Sequence, residues 1–197
     1  SFRDGTKRAP TYKECRDDYR NGTNKIEIQA TARIKTLEPY ICPTAIGFPL
    51  TVTDQHRADQ FIRELGDRGL ANLTIILLPA DHTSGTKAGL PTPQACVADN
   101  DLALGRVVEA IAKSRYWPKT CVFVVEDDPQ AGFDHVDGHR TVSFVASPYA
   151  KRGAVVHTEY NQTSLVRTIE LMLGLPPMNQ LDASATPMRD CFTDKAD

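Results

Sequence analysis

From residue 54 onward the chain alternates between two apolar rhythms. Ala58, Phe61, Ile62 and Leu65 recur at three- and four-residue spacing, which places them on one face of a helix with Asp54 as its cap and Gly66 and Gly69 as its stop. Residues 73–78, Leu-Thr-Ile-Ile-Leu-Leu, form instead a nearly unbroken apolar run ended by Pro79. Its length and lack of alternation predict a strand covered on both faces, as in a parallel sheet. Residues 97–116 return to the helical period through Leu102, Leu104, Val107, Val108 and Ile111, with Asp99 and Asp101 at the start and Lys113 and Arg115 at the end, matching the helix dipole. Residues 121–125 and 142–146 read as two further strands of the buried type. Residues 163–173 read as a helix ended by Gly174 and Pro176. Strand and helix in alternation predict an α/β/α sandwich with a mainly parallel sheet, whose ligand sites collect in the loops beyond the strand ends. Residues 1–50 show no sustained period. Pro10, Pro39, Pro43 and the turn signals Asp4-Gly5 and Asn21-Gly22 give an irregular arm or linker ahead of a folded region over 51–197.

Composition narrows the class. At 197 residues with 41% hydrophobic and 24% charged side chains, the chain is of single-domain size and can bury a core without disulfide or metal support. Lys and Arg number 23 against 25 Asp and Glu, so no excess of positive charge draws it to nucleic acid or anionic lipid. No apolar run reaches the roughly 18 residues of a membrane span. The five cysteines, Cys15, Cys42, Cys96, Cys121 and Cys191, lie far apart with no C-x-x-C pair, which argues against a zinc ribbon or a thioredoxin-type site, and their odd number leaves one unpaired within the chain. Asn21-Gly22-Thr23, Asn72-Leu73-Thr74 and Asn161-Gln162-Thr163 are glycosylation sequons, too common by chance to fix the compartment. The chain opens at Ser1 without a leader, which reads as a cut.

The candidate chemistry lies after the predicted strands. Asp81-His82-Thr83-Ser84-Gly85 follows the first, and Glu126-Asp127-Asp128 the second, with Asp134-His135-Val136-Asp137-Gly138-His139 close behind. Gathered carboxylates and imidazoles repel and resist desolvation unless a cation offsets them, and Asp with His suits zinc, manganese or iron. The 127–132 stretch lacks the alternating oxygen ligands and closing Glu of a calcium loop. No G-x-S-x-G elbow accompanies Ser84, which disfavours a serine hydrolase.

The strings at 78–86 (LPADHTSGT), 97–105 (VADNDLALG), 124–130 (VVEDDPQ), 134–141 (DHVDGHRT) and 167–178 (RTIELMLGLPPM) resemble the phosphoesterase family of the alkaline phosphatase superfamily, whose members include phospholipase-C-like enzymes and acid phosphatases. The resemblance covers roughly residues 45–195. It implies a three-layer α/β/α sandwich carrying two divalent metal ions, zinc or else manganese or iron, with a Ser or Thr nucleophile attacking phosphorus. By position it assigns Asp127 and Asp128 to one metal, and Asp81, His82 and His139 to the other. His135 is a ligand or an orienting donor, and Thr83 a phosphate-binding or orienting group. Gly85 stands where many members carry a His, and Asp128 where many carry a His.

The resemblance also implies a strand, a metal-binding Asp and the nucleophile ahead of the matched region. Asp17, Asp18 and Thr23 sit in no such pattern, so the nucleophile is expected upstream of Ser1, and the sandwich is expected to be incomplete. The reading is a metal-dependent phosphomonoesterase or phosphodiesterase seen as its C-terminal part, its sheet completed by the missing N-terminal segment or another chain. It is expected to be secreted or periplasmic rather than cytoplasmic. The alternative is a non-catalytic fragment or a structural or binding subunit. Sulfatase chemistry lacks its Cys-x-Pro-x-Arg motif, and phosphonates remain open as substrates.

Overall fold

Residues 1–50, read as irregular, contain a helix that hydrophobic periodicity does not announce. The computed structural model describes residues 1–129 and 139–197 and places α1 over Tyr12–Asn21. Only Cys15 of its side chains is buried, so the helix is set by its polar ends. Thr11 and Glu14 form a reciprocal capping box, and Gly22, at φ 61°, closes the far end in the left-handed region. Cys15 packs with Ile26, Ile46 and Val52, and Phe2 and Ile28 lie against them. The first fifty residues thus share a core with Val52.

The chain divides into two compact units, Ser1–Ala110 and Ile111–Asp197. In the first, α2 covers Asp54–Asp67, and its cap is Thr53, not Asp54: the Thr53 hydroxyl accepts the His56 N–H at 3.3 Å. Asp54 is the first helical residue and is fully buried, with Ala58, Phe61 and Leu65 on the same inward side. Gly66 lies inside the helix and does not stop it. α3 runs Pro93–Ala112, beginning and ending earlier than the charge pattern suggested. Pro93 presets the first helical φ, and the Thr92 hydroxyl accepts the Ala95 N–H at 3.3 Å. At the far end the Ser114 hydroxyl donates to the Ile111 carbonyl at 2.7 Å, and the chain turns into a short 3-10 helix at Trp117–Lys119, where Pro118 prevents continuation. Ala103, Val107 and Ile111 are buried, whereas Leu102 faces solvent.

The run 73–78 has no regular secondary structure and joins no sheet among the described residues, so the predicted strand is corrected to an irregular segment. Leu73, Ile75 and Leu77 are exposed, Ile75 by 88%. A strand exists only through a neighbour's backbone, and no described residue forms a ladder or bridge with this run.

In the second unit β1 (Val122–Val125) pairs with β2 (Ser143–Ala146) in antiparallel register, Val122 opposite Ala146 and Val125 opposite Ser143. This is the one sheet among the described residues, and it is not the expected parallel one. An antiparallel return needs no crossover helix. Nor are these strands buried on both faces: Val125 and Phe144 are exposed. α4 covers Gln162–Leu173, capped reciprocally by Asn161 and Ser164 and closed by Gly174 at φ 69°. α5 (Gln180–Ala183) follows, with the buried carboxylate of Asp182 accepting the Met178 and Asn179 N–H groups at 2.8 and 2.9 Å. The chain is therefore a mixture of helices and a small sheet.

Candidate functional site

Two turns carry the sequence candidates, one in each unit. In the first unit the chain tightens after Pro79 into a 3-10 turn, Ala80–His82. Asp81 is half-buried and His82 exposed. The His82 ring meets Phe48 edge-on at 5.3 Å, and its Nδ1 lies 3.1 Å from the Thr83 carbonyl. A proton on Nδ1 donated to that carbonyl leaves the Nε2 lone pair as the basic one, as in metal-ligating histidines.

Thr83 itself sits at φ 56°, ψ −178°, a region that β-branched residues avoid. Its hydroxyl accepts the Gly85 N–H at 3.2 Å, and Gly85 is also left-handed at φ 57°. The Thr83 N–H is held by the Ala80 carbonyl at 3.0 Å. Thr83, Ser84, Cys96, Asp99 and Tyr12 line a cavity of about 20 Å³, room for about one water.

Beneath the turn lies a polar anchor. The buried Asp54 carboxylate accepts the Ala80 N–H at 2.9 Å, Asn100 Nδ2 at 3.1 Å and Arg57 Nη1 at 3.1 Å. Burial holds the Asp54 carboxyl above the usual carboxylate range, against the pull of the Ala80 amide, Arg57 and Asn100. Asn100 also donates to the Leu78 carbonyl at 2.7 Å. Sequence reasoning missed this arrangement because an Asp at a helix start reads as a cap; the usable signal was Asn100 within the 97–105 string.

In the second unit Glu126, Asp127 and Asp128 leave the end of β1 directly, as a strand-end site requires. Asp127 and Asp128 are exposed, and the Asp127 carboxylate accepts the Asp128 N–H at 3.1 Å. Gln162, the first residue of α4, donates its side-chain amide to the Asp127 carbonyl, so the turn is fixed against that helix's N-terminal end. His139 is exposed, ahead of β2. His135 lies outside the described residues.

The donor types of Asp81, His82, Asp127, Asp128 and His139 suit divalent transition metals. Among the described residues, however, no three His, Cys, Asp or Glu side chains gather in an arrangement able to hold an ion. Each turn presents a pair. The upstream residues considered for the nucleophile are occupied locally. Asp18 accepts the Lys25 and Ile26 N–H groups at 2.8 and 3.1 Å and the Thr23 hydroxyl, while Asp17 pairs with Lys13 and Arg16. These bonds bind the end of α1 to the segment that follows.

Comparison with protein families returns a match to the phosphoesterase family over residues 21–176, a span that includes both turns and His139. Comparison with curated proteins and with solved structures finds no match to either.

Proposed function

The chain belongs to the phosphoesterase family, and from that premise we propose that it is the metal-binding part of a phosphoric ester hydrolase, acting on a phosphomonoester or phosphodiester. The observation that carries the reading is the pair of Asp-bearing turns inside the matched span, one led by the apolar run 73–78 and the other by β1. Asp81 and His82 would serve one divalent ion, and Asp127 and Asp128 a second. Zinc suits this donor set, as do manganese and iron. When bound, such ions lower the pKa of an attacking hydroxyl and neutralise phosphate oxygens.

The protein's own contribution is placement. The contact from His82 Nδ1 to the Thr83 carbonyl would leave Nε2 as the basic ring nitrogen, and Gln162 holds the Asp127 peptide. His135 and Thr83 would orient or bind phosphate. The attacking hydroxyl belongs to none of these residues, and we place it in a segment outside residues 1–197. That segment, or another chain, would also pair with the apolar run 73–78. A secreted or periplasmic location belongs to the same reading.

The test is hydrolysis of p-nitrophenyl phosphate by the chain, alone and mixed with its upstream segment, in zinc or manganese. Activity removed by a chelator, restored by metal and abolished by Asp127→Ala supports the proposal. Unchanged activity in that variant overturns the site, and no activity under any condition favours a non-catalytic subunit.

A further inference from the structure

The Asp54 carboxylate does more than join two helices. It is fully buried, its partner Arg57 is 3% exposed, and packing alone would be better served there by an apolar side chain. Arg57 is itself fixed by the Val52 carbonyl at 2.7 Å and by the Gly47 and Pro49 carbonyls at 2.7 and 2.9 Å. The guanidinium thus satisfies Oδ1 and leaves Oδ2 for the turn. Oδ2 accepts Ala80 N–H and Asn100 Nδ2, and the same Asn100 nitrogen holds the Leu78 carbonyl. Asp99, next to Asn100, closes the link from the other side by accepting the Asp54 backbone N–H.

A second observation points the same way. Thr83 occupies a strained backbone region, which persists only where its surroundings over-determine it. Ala80 supplies that determination on both sides, its N–H held by Asp54 and its carbonyl accepting the Thr83 N–H. Asp81 and His82 are the two residues between these bonds.

We propose that Asp54, acting with Asn100, is the positioning residue of the 79–85 turn, setting the placement of Asp81 and His82 for metal. The inference rests on reading that turn as half of a phosphoesterase metal site. Asp54 touches neither ion nor substrate; it acts through the Ala80 peptide.

The experiment measures amide hydrogen exchange, Zn²⁺ binding and thermal midpoint of the full chain for Asp54→Asn and Asn100→Ala, with Tyr19→Phe as control. The control removes the Tyr19 hydroxyl's bond to Asp59 and so weakens α2 away from the turn. Asp54→Asn and Asn100→Ala should speed exchange at Ala80 and Thr83 roughly tenfold or more and weaken Zn²⁺ binding by a similar factor, beyond what their midpoints explain. If Asp54→Asn does not fold, Asn100→Ala carries the same readout, since it leaves the buried ion pair intact. Exchange rising evenly across residues 1–110, with Zn²⁺ affinity tracking stability as in Tyr19→Phe, overturns the proposal, as does no change at all. Selective exchange in a chain whose wild type neither binds Zn²⁺ nor hydrolyses aryl phosphate overturns the proposed function and leaves the anchor standing.

Discussion

The imidazole of His56 lies flat on the phenol ring of Tyr19, ring centroids 4.5 Å apart and planes inclined by 14°. Burial pulls the His56 pKa below its ordinary value of 6.5, helped by Arg63 and Arg57 and opposed by Asp59 and Asp18. A histidine depressed in the folded state is protonated more readily in the unfolded one. Its contribution is present above 6.5 and is lost as pH falls through the lower, folded value. Thermal midpoints should therefore fall on acidification below 6.5, and His56→Phe, which keeps the stacking, should flatten that part of the profile. A His56→Phe profile as steep as wild type would show that His56 is not the group responsible.

Two glycines in open space separate conformational cost from packing. A Cβ at Gly66, inside α2, or at Gly85, in the candidate turn, would meet nothing within 4 Å. Gly66→Ala should raise stability by about 0.5–1 kcal/mol because alanine has less freedom to lose on folding. Gly85→Ala should lower it by about 1 kcal/mol, since φ is +57° there. Denaturant titration reads both, and equal signs would mean that the turn does not hold its left-handed backbone in solution.

Cys121 adjoins β1, where burial, with a smaller push from Cys191, raises its thiol to about 12. Alkylation depends on thiolate, so iodoacetamide at about pH 8 should leave Cys121 unmodified in the native protein and label it after unfolding. Mass spectrometry of peptides decides the point; native labelling would contradict the burial.

Asn161 caps α4 by accepting the Ser164 N–H at 2.9 Å, and the neighbouring Gln162 holds the Asp127 carbonyl. Asn161→Ala should cost about 1 kcal/mol of stability. Gln162→Ala, by contrast, should leave the thermal midpoint nearly unchanged and weaken Zn²⁺ binding. A midpoint loss from Gln162→Ala as large as that from Asn161→Ala would assign Gln162 to the fold alone.

Local signals survive translation into structure wherever the chain can satisfy them by itself. The helical period at Ala58, Phe61 and Leu65 gives α2, Asn161 and Gly174 bound α4, and the acids after Val125 leave the end of a strand. The family strings are legible for the same reason, because they are written residue by residue.

The sequence by itself determined α2, α3 and α4, the placement of Asp127 and Asp128 after β1, and the family. Tertiary structure decided the rest. Whether 73–78 becomes a strand depends on a partner backbone, which no property of Leu73 or Ile75 supplies, and among the described residues the run pairs with none, leaving Leu73, Ile75 and Leu77 exposed. Whether Asp54 caps a helix or anchors a turn depends on what lies above it. Only folding brings Ala80, 26 residues away, and Asn100, 46 away, onto one carboxylate. The direction of β2 against β1 is likewise a property of how the chain returns, which apolar content alone does not encode.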